Sequence, residues 1–377
     1  MTIVAETPGH VDILEVTLGV DTHADSHVAA VIDPLGRHLA QASFETTIAG
    51  FKALLAWASG FGTIALAGVE GTGAYGAGLG RFLTAAGITV VEVDRPDRKT
   101  RRDQGKSDPI DAYAAARAAA SGRASGTPKT RTGDVESVRV LRVARTGAVR
   151  ARAKALTQLK ALIVTAPDAL RAQLRGLDGP RLVTTCARLR PHRDQAPTPS
   201  PLAKRAPRPG RLPDPTSATK RALASIAGRV QILDVEIADL DDDLHALLTP
   251  LAPTLLGING VGIDGAGQLL VTAGDNPERI TTEAAFAHLC GVAPIPASSG
   301  KTTGKHRLNR GGDRAANAAL YRIVMCRLRH DPNTRAYVER RTKNGKSKKD
   351  IIRCLKRYIA REVYTAIQTD LNPQNTP

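Results

Sequence analysis

The chain has 377 residues, 42% of them hydrophobic, and carries a formal charge of +17 with a pI near 10.1. That apolar content excludes a disordered chain, and no apolar run approaches the roughly 20 residues that span a bilayer, so the polyanion such a charge attracts is nucleic acid rather than a lipid surface. Four widely spaced cysteines, Cys186, Cys290, Cys326 and Cys354, exclude a disulfide framework and structural zinc and fit a reducing, cytoplasmic setting beside the nucleoid.

The charge is uneven. Residues 1–94 hold three Lys/Arg against ten Asp/Glu, whereas residues 301–361 hold nineteen against four. The acidic end meets a polyanion only with help from the basic end or from bound divalent cations.

Residues 1–14 read as a disordered lead without the layout of a signal peptide. Strands are expected from Glu15 to about Val20, ending at Asp21, then over 27–33 and, after a "PLG" turn, over 37–44. Thr46 or Thr47 can cap a helix to about Ser59. A strand over 63–69 delivers Glu70, a helix runs from about Ala74 to Ala86, and a strand over 88–93 follows. Three strands joined by tight turns and then alternating helix and strand predict a mixed sheet. "GVEGTGAYGAGLG" contains G-x-G-x-x-G at Gly71, Gly73 and Gly76, but it follows the fourth strand rather than the first, and Glu70 would push negative charge toward a pyrophosphate. A dinucleotide cradle is therefore disfavoured, and the glycines are expected to let a helix pack closely on the sheet.

Ser107 can cap the next helix, with Pro109 in its first turn, and Asp108 and Asp111 at i, i+3 share a face. Residues 134–175 form an Arg-rich helical stretch, and eight prolines between 191 and 215 make a loop. Leu223, Ile226, Val230, Leu233, Ile237, Leu240, Leu244 and Leu247 alternate steps of three and four, a coiled-coil seam that pairs with the Arg-rich helix or with another subunit. Gly260 and Gly262 stand at a helix start in a layout similar to helix-hairpin-helix elements; they either hold a phosphate on backbone N–H groups or make an ordinary turn. A long Gly/Ser/basic loop precedes helices over roughly 314–329, 332–343 and 347–368.

If the first and fourth strands are neighbours, Asp21 and Glu70 emerge side by side, and a helix across them adds Asp108 and Asp111. Such a cluster repels itself unless cations occupy it, and two Mg²⁺ about 4 Å apart suit in-line attack at a phosphodiester. Each acid taken singly also fits ordinary turn or helix-start chemistry.

"GVDTHADSHVAAVID", "VEGTGAY" and "GKSDPIDA" resemble the three acidic blocks of the DEDD-type insertion-sequence transposases with a RuvC-like ribonuclease-H fold, the bridge-RNA-guided recombinases. "GVAPIPASSGKTTGKHRLNRGGDRAANAAL" resembles their C-terminal block. The resemblance runs from about residue 15 to 368 and is weakest over 191–215. It implies that Asp21, Glu70, Asp108 and Asp111 hold Mg²⁺, and that Ser299, with Ser298 as the alternative, attacks DNA phosphate to form a covalent intermediate. It also implies a structured guide RNA and a homodimer or homotetramer whose site combines domains of different subunits. Lys301, Lys305, Arg307 and Arg310 would neutralise phosphates around the attacked bond. Aromatic residues make up 3% of the chain, so base stacking is not expected to dominate.

The expected architecture is α/β plus α: a RuvC-like catalytic domain over 15–125, a helical coiled-coil region over 126–250 containing the proline-rich loop, and a mostly helical serine domain over 251–370. A hydrolytic resolvase-type nuclease using the same acids, which leaves no covalent protein, is the closest rival, followed by an inactive nucleic-acid-binding relative. The absence of H-x-x-R disfavours a tyrosine recombinase.

Overall fold

The computed structural model describes residues 14–93, 108–194, 210–298, 306–309 and 311–372, with Asp108, Pro109 and Leu308 described by backbone only. Strands β1 (Glu15–Thr22), β2 (Ser26–Ile32) and β3 (His38–Glu45) form an antiparallel meander, and β4 (Thr63–Glu70) and β5 (Val90–Val93) add in parallel beside β1. The order is β3-β2-β1-β4-β5, the mixed sheet read from the turn spacing.

The two faces of β1 are used differently. Val16, Leu18 and Val20 point into a core with Leu54 of helix α1 (Ile48–Ser59) and with Leu79 and Leu83 of α2 (Ala77–Ala85). The alternate positions, Gly19 and Asp21, must face the other side, because side chains along a strand alternate. There helix α3 (Asp108–Ala120) lies across β1, β2 and β4. Thr47 caps α1 by accepting the Gly50 N–H at 3.0 Å. The expected start of α2 at Ala74 is corrected to Ala77, since residues 71–76 are turns, and β5 begins at Val90 because the Ile88 N–H bonds back to Leu83.

The Arg-rich stretch forms α4 (Asp134–Val164) and then breaks at Pro167 before the short α5 (Asp168–Leu174); α6 (Gly179–Ala187) follows. Residues 195–209 of the proline-rich segment lie outside the described residues. Its flanks meet: Asp194 N–H donates to Arg211 O at 2.9 Å, and the Arg193 guanidinium donates to Gly210 O at 2.8 Å.

Asp214 then caps the 37-residue helix α7 (Pro215–Leu251), which packs antiparallel on α4. The seam thus closes within the chain. Leu223, Ile226, Val230 and Leu244 are buried, while Leu233, Ile237, Leu240 and Leu247 are half-buried. This stem serves two cores. Near its tip Leu223 and Val230 join Leu170 and Leu182 of the short helices; at its base Leu244 and Leu248 join the C-terminal helices. Leu248 and Ala252, on either side of residue 250, belong to one core.

The remainder is helical: α8 (Pro253–Leu256), α9 (Ile263–Ala273), a 3₁₀ turn (Pro277–Arg279), α10 (Glu283–Leu289), α11 (Arg314–His330), α12 (Pro332–Lys343) and α13 (Lys348–Leu371). The stretch expected to be loop throughout contains a hairpin of β6 (Pro294–Pro296) and β7 (His306–Leu308). Among the described residues no helix is long and apolar enough to cross a membrane.

Candidate active site

The register of β1 against β4 builds the site. Gly19 pairs with Gly68 and Val20 with Val69, so Asp21 and Glu70 are the next residues on adjoining strands and share the α3 face. Thr22 Oγ1 donates to Glu70 O at 2.9 Å and ties the two strand ends together. Asp21 is 6% exposed, with His23 Nε2 3.2 Å from its Oδ2; Glu70 is half-buried.

The helix packs closely on the sheet because two paired positions beneath it, Gly19 and Gly68, have no side chains. A Cβ on Gly19 would stand 2.2 Å from Ala112 O and 2.3 Å from Ala116 N, and one on Gly68 would stand 2.6 Å from Ala115 O. Both are closer than real Cβ atoms come, so glycine is required at these two paired positions. Asp111, 9% exposed, and Asp108 occupy the helical turn just before the Ala112, Ala115 and Ala116 contacts. The Asp108 side chain and Ser107 lie outside the described residues. Among the described residues no group of three His, Cys, Asp or Glu forms a metal cage.

Within the glycine run the expected close helix-on-sheet packing holds at Gly68, where the crossing helix approaches, while Gly71 and Gly76 have a different purpose. Gly71 takes φ +67° directly after Glu70, a left-handed turn that disfavours a side chain. A Cβ on Gly76 would stand 2.7 Å from Glu70 O. These glycines wrap the chain around Glu70, while the close helix-on-sheet packing rests on Gly19 and Gly68.

A strap connects this domain to the C-terminal helices, and sequence reading missed it. Gly126 bridges to Glu92 of β5. Past it, Thr127 O accepts Arg279 and Pro128 O accepts Asn276, and Lys129 Nζ donates to Val271 O. Asp275 accepts the backbone N–H groups of Arg131, Thr132 and Gly133. Arg131 sits at φ +55°, the one left-handed non-glycine among the described residues, and its guanidinium stands 3.5 Å from a Cβ built on Gly73. Burial, then Arg279 and Arg131, bring the Lys129 pKa down to about 8. The run "PKTRTGD" showed no period or motif that would have exposed this role.

On the basic side, Ser298 is exposed just past β6, and Arg307 is exposed on β7. Ser299, Lys301, Lys305 and Arg310 lie outside the described residues. Cys290 nearby is no competing nucleophile: burial, with a contribution from Asp313, pushes its thiol up to about 12. Gly260 turns at φ +84° against Ile323 O, and Gly262 precedes α9 in extended backbone. The first turn of that helix already carries the Asp264 carboxylate, which accepts Arg142 at 2.8 Å and Arg322 at 2.9 Å.

A five-stranded mixed sheet in this order, with acids at adjoining strand ends under a crossing helix, is consistent with the ribonuclease-H-like class of α/β proteins. Two family models match the chain: the DEDD-type IS110 transposase domain, described as a transposase, over residues 18–166, and the transposase IS116/IS110/IS902 family over residues 252–339. The chain belongs to the IS110-type family of DEDD transposases. Similar proteins include an insertion element IS110 uncharacterized 43.6 kDa protein of Streptomyces coelicolor, 33% identical over 125 residues. An insertion element IS900 uncharacterized 42 kDa protein of Mycobacterium paratuberculosis is 29% identical over 126 residues. The matched stretches span 33% of this chain in each case, and 31% and 32% of the respective relatives.

Proposed function

We propose that the chain is the transposase of an insertion sequence, cutting and rejoining DNA through carboxylate-held Mg²⁺ and a serine nucleophile, under the guidance of a structured RNA. The observation that carries this reading is the β1/β4 register, which sets Asp21 beside Glu70 on the face crossed by the helix of Asp108 and Asp111.

The donor set suits hard cations: all four groups are carboxylates, and like charges at adjoining strand ends repel one another unless positive charge lies between them. Bound there, Mg²⁺ would supply Lewis acidity toward a phosphodiester and offset the charge that develops during attack. Ser299 Oγ, or Ser298 Oγ, forms a bond to phosphorus while the bond from phosphorus to the leaving nucleotide oxygen breaks. The serine proton is lost to solvent and the leaving oxygen takes one up, so the exchange is balanced without an external oxidant or hydrolysis. Rejoining runs the same displacement with a DNA hydroxyl as nucleophile. Lys301, Lys305, Arg307 and Arg310 contact flanking phosphates. Asp21, Glu70, Asp108 and Asp111 stay within the 15–125 domain and the serine within 251–370, with a homodimer or homotetramer bringing together the copies needed.

The test is denaturing electrophoresis of the protein with labelled element-junction DNA, its element-encoded RNA and Mg²⁺. A DNA–protein adduct mapped to Ser299 and lost in Ser299→Ala supports the reading. Cleavage without any adduct transfers the chemistry to water and makes the chain a hydrolytic nuclease.

A further inference from the structure

Between the β6–β7 hairpin and α13 lies a cavity of about 430 Å³, outside the carboxylate site. Gly291 to Pro294 give it a small apolar floor, β7 contributes Arg307, and α13 contributes Arg353, Lys356, Arg357 and Tyr358. Two of these cations are already neutralised: Arg353 donates to Asp350 at 2.7 Å, and Arg357 forks onto Glu283 at 2.6 and 2.8 Å.

Lys356 is held differently. It is half-buried, and its Nζ donates to Asn317 Oδ1 at 2.8 Å, a neutral amide whose own Nδ2 donates to the carbonyls of Cys290 and Gly291. Among the described residues no carboxylate stands within ion-pair distance of Lys356, nor of the exposed Arg307 and Lys346 at the rim. Burial, and then Arg353, push the Lys356 pKa below that of a free lysine, as expected for an ammonium without a counter-charge. An anion entering the cavity would supply that charge.

The space exceeds what a bare anion fills, and beside the polar groups Val292, Ala293, Pro294 and the Tyr358 ring give it apolar surface. Tyr358 is 48% exposed, its ring fixed edge-on against Tyr337 at 5.9 Å and 89°. A phosphate joined to a planar base matches both halves of this lining.

We propose that this cavity holds one extruded DNA nucleotide, its phosphate on Lys356 and Arg307 and its base between the Val292–Pro294 floor and the Tyr358 ring. The assignment of DNA as the ligand rests on the recombinase reading above. Pro294 opens β6 and Ser298 follows four residues later, so extended chain places the serine segment within about 13 Å of the floor. The held nucleotide therefore neighbours the phosphodiester presented to that segment. In a chain so poor in aromatics, this surface accommodates a single base, and extrusion stays local.

The full-length protein, irradiated with single-stranded DNA carrying one 5-iododeoxyuridine and then peptide-mapped, tests this directly. Cross-links are expected on the peptides of Tyr358 or His306. Lys356→Gln keeps an amide donor for Asn317; with an unchanged thermal midpoint it should lower that yield about tenfold while total DNA bound falls less than about threefold. Cross-links confined to other peptides, or an undiminished yield in Lys356→Gln, would overturn the proposal. Stronger cross-linking of the matching 5-iodouridine RNA would overturn DNA as the occupant. The assay needs neither Mg²⁺ nor cleavage. A Tyr358 cross-link without a serine adduct would thus sink the recombinase reading alone, and the reverse would sink the nucleotide pocket alone.

Discussion

The acidic sheet and the basic hairpin present their polar groups in opposite ways. Asp21 and Glu70 stand at the ends of strands whose pairing, flanking glycines and crossing helix leave little freedom. Arg307 stands on a three-residue strand, and Ser298 just beyond its three-residue partner. Like charges must be held together against their repulsion, and only over-determined backbone does that. Cations that meet a polyanion need no such enforcement, because the ligand itself gathers them. The difference teaches that cost of assembly is concentrated on the carboxylate side.

The strongest way to break this comparison is to remove one acid. Asp21→Asn should reduce Mg²⁺-dependent DNA cleavage by on the order of 10³-fold, about 4 kcal/mol of barrier, with little loss of fold. Cleavage at the wild-type rate in both Asp21→Asn and Glu70→Gln would end the case for the cluster.

Next in size is the backbone that carries the acids. Gly19→Ala puts a methyl 2.2 Å from Ala112 O, which belongs to backbone and cannot swing aside. We expect a loss of about 3 kcal/mol in urea denaturation, together with reduced cleavage as α3 shifts. Equal stability of Gly19→Ala and wild type would mean that the helix approaches less closely than described.

These two effects also show where the sequence was legible. Strand ends, the Thr47 cap and the i, i+3 acids follow from local rules, and the meander's tight turns implied a mixed sheet. The role of Gly19 was hidden, because it depends on which face α3 covers, and a single glycine in a strand names no partner. The stem seam had the right period but its partner was open; complementary charges decide it, since Arg145 pairs with Asp241 and Arg152 with Asp234 across α4 and α7. The strap at 126–133 makes its bonds mainly through backbone and through residues some 140 positions away, where no periodicity could reveal them.

The stem offers a smaller, graded test. Leu244 is fully buried where α7 enters the C-terminal core, so Leu244→Ala should cost about 2 to 3 kcal/mol. Leu233 is half-buried midway along the stem, and Leu233→Ala should cost about 1 kcal/mol. A reversed ranking in urea melts would show that the middle of the stem is covered in solution by another copy, and light scattering of Leu233→Asp would then report a lower mass than wild type.

The smallest effect concerns the strap that connects the two sides. Burial alone would raise the Asp275 pKa, but hydrogen bonds from Thr130 and from the backbone of Thr132, Arg131 and Gly133 outweigh it and hold the carboxyl at about 2. Its folded pKa lies below the unfolded value near 3.9, so its contribution is present above about pH 4 and is lost as pH falls through 2. Because the group is only half-buried, solvent screening reduces that contribution to about 1 kcal/mol. Lys129 has the opposite sense: folded near 8 against about 10.4 unfolded, its ammonium is penalised in the fold, and the penalty lifts as pH rises through that window. Asp275→Asn should therefore be about 1 kcal/mol less stable than wild type at pH 7, with the gap closing toward pH 2, whereas Lys129→Gln should flatten the rise in stability between pH 8 and 10. Parallel stability curves for wild type and both variants would mean that the strap does not couple the acidic domain to the helices that carry the basic hairpin.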